Sequence, residues 1–219
     1  MRSTAGFKRR ARCRAAASAP RTDPFPAVAN RATSADRHGN RKGGMDSRKE
    51  ALLDGLADFL LAEGLEAASL RPMARAVGTS DRMLIYHFGD KDSLIAAALE
   101  RIAARLVAQL SALSAPHPVP ADALRPRLMD LAQADGTWPF LRLWLQIAAR
   151  AAQGDALYAG VGNAIGRGFL DWIAAQIDAP DDTARRSEAA RLLVVIEGLV
   201  LLKALGLDGV CRPALDQGP

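Results

Sequence analysis

The sequence predicts an all-α fold, with a unit of three helices at the N-terminal side and a larger helical bundle after it. Ala and Leu dominate the 49% of apolar residues while aromatics make up 5%, a bias that favours helix over strand. Apolar residues recur at three- and four-residue spacing, and no segment alternates with period two. Gly, Pro, Ser and Asp stand where these segments begin and end.

The first helix is expected from Ser47, which with Glu50 three residues on makes a capping box. Leu53, Leu56, Ala57 and Leu60 then form one stripe, widened by Leu52 and Phe59, and Gly64 suits the stop, with Leu65 folding back onto the helix. Ser69 caps a second helix that runs to Val77 with Pro72 in its first turn, where the missing N–H removes no intrahelical bond. Gly78 closes it. Ser80 caps a third helix to about Phe88, Gly89 ends it, and Asp90 caps a long fourth helix that fades near Ser114. Three Pro in residues 115–121 forbid helix there. Four more helices are expected at roughly 121–134, 138–152, 156–177 and 182–206.

Charge is unevenly placed. Eleven of the 29 basic residues and two of the 24 acidic ones fall within residues 1–44, which leaves the rest of the chain with a net charge of −4. DNA affinity, if present, must therefore come from local placement of charge. Residues 1–44 hold two Phe and no apolar periodicity, so they cannot bury enough surface to offset chain entropy, and disorder is expected. Three readings of this extension stand open: a start codon assigned upstream of Met45, a basic arm adding nonspecific DNA affinity, and a targeting peptide that lacks an apolar core. Cys13 and Cys211 lie far apart without metal-ligand spacing, so neither a disulfide framework nor a metal site is indicated, and a reducing compartment fits. The apolar run Leu192–Leu207 contains Glu197 and Lys203 and is shorter than a membrane span, so no membrane association is expected.

Two short helices joined at Gly78, with an amphipathic helix on either side, make a helix-turn-helix pattern. The segment GTSDRMLIYHFGDKDSL (78–94), preceded by SLRPMARAVG (69–78), resembles the recognition-helix region of the TetR family of helix-turn-helix transcriptional regulators. The resemblance is close over about residues 47–100 and general beyond them. It implies an N-terminal DNA-binding domain at 46–91, a helical effector-binding and dimerisation domain at 92–208, a flexible tail at 209–219 and an extension at 1–45. It also implies a ligand-responsive repressor that binds a palindromic operator in double-stranded DNA as a homodimer in the bacterial cytoplasm, associated with the nucleoid and without a cofactor.

Chemistry supports the same positions. The first residues of a recognition helix meet base edges in the major groove, so Thr79, Ser80, Asp81, Arg82 and Met83 are the candidate readers. The Arg82 fork can bond guanine O6 and N7 together. Asp81 either accepts from cytosine N4 or caps the helix and orients Arg82. By resemblance, phosphate contacts fall to Tyr86, His87 and Lys91, with Ser69 and Arg71 at the start of the second helix. Ser69 and Lys91 also stand at helix N-termini, where N–H groups and the dipole favour an anion. Many family members place Tyr where this chain has Ile85, which either touches a thymine methyl or packs inward. His87 has a second reading as a capping or buried histidine. Leu84, Phe88, Met73, Ala74 and Val77 hold the three helices together.

In the bundle, WPFLRLWLQIAARAAQ (138–153) sets rings beside a few polar groups. Trp138, Leu141, Arg142, Trp144 and Leu145 are therefore candidates to line a pocket for a small apolar or aromatic effector, or belong to a plain core helix. The last helix is apolar on nearly all sides, which calls for burial by a partner as well as by its own domain. Trp172, Leu192, Val195, Leu199 and Leu202 are the candidate dimer contacts. No Gly-rich phosphate loop, paired carboxylates, nucleophile with a matching base or HExxH-type spacing is present, which argues against an enzyme. The competing reading is an all-helical ligand-sensing or protein-interaction module without sequence-specific DNA binding.

Overall fold

A computed structural model describes residues 42–112, 114, 116–207, 209 and 213. The extension up to residue 41, most of the tail after 207, and both cysteines lie outside the described residues. Eight helices follow in order: α1 (Lys42–Glu63), α2 (Leu70–Ala76), α3 (Asp81–Phe88), α4 (Lys91–Ala112), α5 (Ala121–Gln133), α6 (Trp138–Ala152), α7 (Ala156–Gln176) and α8 (Asp182–Ala204). Among the described residues the one strand-like pairing is a clasp between Val119 and Ile177. There Val119 N–H donates to the Gln176 carbonyl at 2.9 Å and Asp178 N–H donates to the Val119 carbonyl at 2.9 Å, tying the Pro-rich connector to the end of α7.

Helix ends sit where the local chemistry puts them, with one correction. α1 begins at Lys42, five residues before the expected capping box, so Ser47 and Glu50 lie inside it and residues 42–45, assigned to the extension, are helical. The apolar stripe marks where a helix starts to be buried, whereas an existing helix extends upstream at little cost. Glu50 is taken up elsewhere, pairing with Arg101 of α4. α1 stops at Gly64, whose φ of 77° is in the left-handed region, and a single 3₁₀ turn at Leu65–Ala67 buries Leu65.

Two apolar clusters make the core. The first gathers α1, α2, α3 and the first half of α4, including Leu56, Leu60, Met73, Leu84, Leu94 and Leu99, and extends to Leu143 and Ile147 of α6 and Val161 of α7. The second joins Leu110 at the far end of α4 to Leu124 and Leu128 of α5, Trp172 and Ile173 of α7, and Leu192 and Ile196 of α8. α4 thus runs through both. Along the α1–α4 seam, Asp54 and Asp58 face Arg101 and Arg105 at matching four-residue spacings. Arg105 reaches Asp54 at 2.8 Å and Asp58 at 2.6 Å, and Arg101 reaches Asp54 at 3.3 Å.

Candidate nucleic-acid interface and core cavity

The turn between α2 and α3 is closed by backbone bonds. Gly78, at φ 66°, follows the C-cap Val77, and its N–H donates to the Arg75 carbonyl at 3.2 Å while Thr79 N–H donates to the Ala74 carbonyl at 2.9 Å. These are the two bonds of a Schellman motif, which satisfies the orphan carbonyls of α2 and aims the chain into α3. Ser80 then caps α3 from an extended conformation, its hydroxyl accepting from Met83 N–H at 3.3 Å. At the other end, Gly89 turns the chain into α4, where Asp90 accepts from Ser93 N–H at 2.7 Å. That bond, with one to the Ser93 hydroxyl, holds the Asp90 carboxyl below its usual range.

α3 is anchored by one face and open on the other. Leu84 is fully buried and Phe88 nearly so. Arg82 and Tyr86 are exposed on the outer side, Tyr86 to 67%. Ser69, Arg71, Ser80 and Lys91 are also exposed, while Thr79, Asp81, Met83, Ile85 and His87 are half-buried. Asp81 stands in the first turn of α3, where a carboxylate favours the helix dipole. His87 lies edge-on to Tyr86 at 5.3 Å, and its Nε2 is buried without a hydrogen-bond partner.

An apolar cavity of about 100 Å³ lies between α4, α5, α6, α7 and α8. The structure divides the five residues expected around it. Leu141 and Trp144 line it, together with Phe140 and Ile147 of the same helix. Trp138 and Arg142 do not. Trp138 instead receives Lys203, whose Nζ lies 5.0 Å from the ring centroid and donates to the Gln133 carbonyl at 2.7 Å. Arg142 donates to the Leu61 and Ala62 carbonyls, each at 2.9 Å, closing the C-terminal end of α1. Leu145 packs into the second cluster without reaching the cavity.

Glu197 of α8 completes the cavity wall, and the sequence reading passed over it as a lone acid in an apolar helix. Its Oε2 accepts from the Trp144 indole N–H at 2.7 Å. Burial raises the Glu197 carboxyl above its usual range, with the indole bond opposing that shift. A single acid within the stretch from Leu192 to Leu202, which holds no other charged residue, was the available signal.

The candidate dimer residues also separate. Trp172, Leu192 and Leu199 are buried inside the protomer, with Trp172 stacked on Phe169 at 5.7 Å, and Val195 and Leu202 are half-buried. The exposed apolar face of α8 and its cap is made by Val194 (72%), Leu201 (51%) and Leu205 (63%). Their spacings of seven and four residues set them on one side of the helix. Among the described residues, no group of three or more His, Cys, Asp or Glu is disposed to hold a metal ion, and no helix is long and apolar enough to cross a membrane.

Residues 52–98 match the family model of bacterial regulatory proteins, tetR family. No curated protein matches the chain. Among solved structures, a transcriptional regulator from Rhodococcus sp. RHA1 is 28% identical with a TM-score of 0.57, covering 74% of this chain and 86% of that one. Salmonella enterica GusR is similar at 17% identity and a TM-score of 0.52, over 70% of this chain and 82% of its own. A second Rhodococcus protein, assigned to the TetR-family transcriptional regulators, reaches 19% identity and a TM-score of 0.59, over 78% of this chain and 97% of its own.

Proposed function

Since the chain belongs to the tetR family of bacterial regulatory proteins, we propose that it regulates transcription as a ligand-responsive repressor, binding a palindromic operator as a homodimer. One observation carries this reading: α3 is pinned by Leu84 and Phe88 while Arg82 and Tyr86 project from its outer side. An α-helix with its side chains is about 10–12 Å across, which suits a major groove about 12 Å wide. Arg82, with Thr79, Ser80, Asp81, Met83 and Ile85, reads base edges. Ser69, Arg71, Tyr86, His87 and Lys91 position the helix on the phosphates.

Labour divides near residue 91. Residues 46–91 bind DNA, and 92–208 bind an effector in the core cavity and dimerise. The exposed Val194, Leu201 and Leu205 face supports dimerisation, because burying it against a second copy removes apolar surface from water and sets two recognition helices on a two-fold axis. An effector with different affinities for two spacings of those helices shifts their populations, with α4 as the mechanical link because it runs through both clusters. The site of action is the bacterial cytoplasm, on the nucleoid.

Selection of bound fragments from genomic DNA tests the reading. A palindromic consensus, bound less tightly as salt rises, is the expected outcome. Binding without any sequence preference at either low or high salt leaves the ligand-sensing module without DNA recognition as the better account.

A further inference from the structure

The core cavity carries one charged group. Its wall is apolar apart from Thr137 and Glu197, and no Lys, Arg or His lines it. The Thr137 hydroxyl is already turned to the backbone carbonyls of Leu131 and Ala134. Lys203, on the same helix as Glu197, is engaged by the Gln133 carbonyl and the Trp138 ring. Glu197 therefore faces the cavity with one oxygen held by Trp144 and no positive charge beside it.

Which ligand suits such a wall follows from charge. An anion would meet a carboxylate and no counter-charge. A neutral apolar ligand would leave the carboxylate desolvated and unpaired, which is costly inside an apolar site. A cation removes that cost by pairing with Glu197, and the rings of Phe140, Trp144 and Phe169 add faces and edges around it. Resting on the effector reading given above, we infer that the cavity takes an organic cation with an apolar body, a protonated amine or quaternary ammonium, whose nitrogen sits against Glu197. Burial lifts the Glu197 carboxyl above its usual range, and pairing with such a charge opposes that shift.

Two probes of one shape and different charge decide the matter: benzyltrimethylammonium and its uncharged isostere neopentylbenzene, with 3-phenylpropanoate as the anionic arm. Binding to the full chain is read by intrinsic tryptophan fluorescence, and Trp144 reports directly on the site. The cation is expected to bind at least about tenfold more tightly than the isostere, and Glu197→Gln is expected to abolish that difference. Equal affinity for cation and isostere, tighter binding of the anion, or a preference that survives in Glu197→Gln would each overturn the inference while leaving the cavity a ligand site. Failure of all three probes to bind overturns both the inference and the effector reading beneath it. The comparison on the wild-type chain decides the charge preference whether or not the variant folds.

Discussion

The Gln146 side chain of α6 accepts a hydrogen bond from the Leu65 backbone N–H at 2.8 Å, joining positions 81 residues apart. One turn earlier, Arg142 holds the Leu61 and Ala62 carbonyls, and one turn later Arg150 reaches Glu66 at 3.5 Å. Arg142, Gln146 and Arg150 thus form a polar stripe, spaced by four, against the end of α1 and the turn that leads into the helix-turn-helix. The other side of α6 carries Leu141 and Trp144 into the cavity. α6 therefore touches both the helix-turn-helix unit and the cavity.

Replacing Gln146 by Leu leaves the Leu65 N–H without its partner. Loss of that acceptor is expected to cost about 1–3 kcal/mol, read from the denaturant midpoint. The variant is also expected to bind operator in a way less responsive to effector than the wild type. Unchanged stability together with unchanged effector response would remove α6 from the coupling.

Arg82 and Lys91 separate base reading from phosphate contact. Arg82→Ala is expected to lower operator affinity by about 1–3 kcal/mol and to relax preference at one base position. Lys91→Ala is expected to weaken binding to all sequences alike and to reduce the salt slope by about one. A binding-site selection on each variant checks both, and a sequence-specific effect at Lys91 or none at Arg82 contradicts the assignment.

On α8 the exposed and buried leucines predict opposite outcomes. Leu201→Glu places a charge on a face open in the protomer, so it is expected to yield a folded monomer in light scattering at micromolar concentration. Leu199→Glu buries an unpaired charge in the core and is expected to unfold the chain. A Leu201→Glu dimer would move the interface to another surface.

Glu197 makes stability depend on pH. Its folded pKa lies above the ordinary value of about 4.5 because the carboxyl is buried, against the smaller opposing effect of the Trp144 bond. Below 4.5 the carboxyl is protonated in both folded and unfolded chains. As pH rises from there through the raised folded value, the unfolded chain releases its proton more readily, and stability is lost. Glu197→Gln carries no such proton. Its Tm relative to wild type is therefore expected to rise between acid and neutral pH, and a difference that stays flat across that range would contradict the assignment.

Helix boundaries from Gly64 onward were legible in the sequence because their signals act within a few residues, whereas the start of α1 was not. Ser80 and Asp90 as caps, Gly64 and Gly78 as stops, and the prolines of the connector each settle backbone choices among immediate neighbours, whereas Ser69 stands at the start of α2 without a side-chain cap bond. The inward face of α3 was legible for the same reason, since Leu84 and Phe88 repeat at helical spacing. Asp54 and Asp58, with Arg101 and Arg105, carried matching spacings that a comparison between helices would have caught.

Local signals in the sequence thus give the order of the eight helices among the described residues and the inward face of α3. Packing between distant segments sets that Leu65 and Gln146 meet, that Glu50 serves α4 instead of capping α1, and which side of α8 stays uncovered. The reason is physical: a cap or a glycine bends the chain at its own position, whereas a helix apolar on nearly every side has no preferred direction until neighbours tens of residues away bury Leu199 and leave Val194 and Leu201 in water.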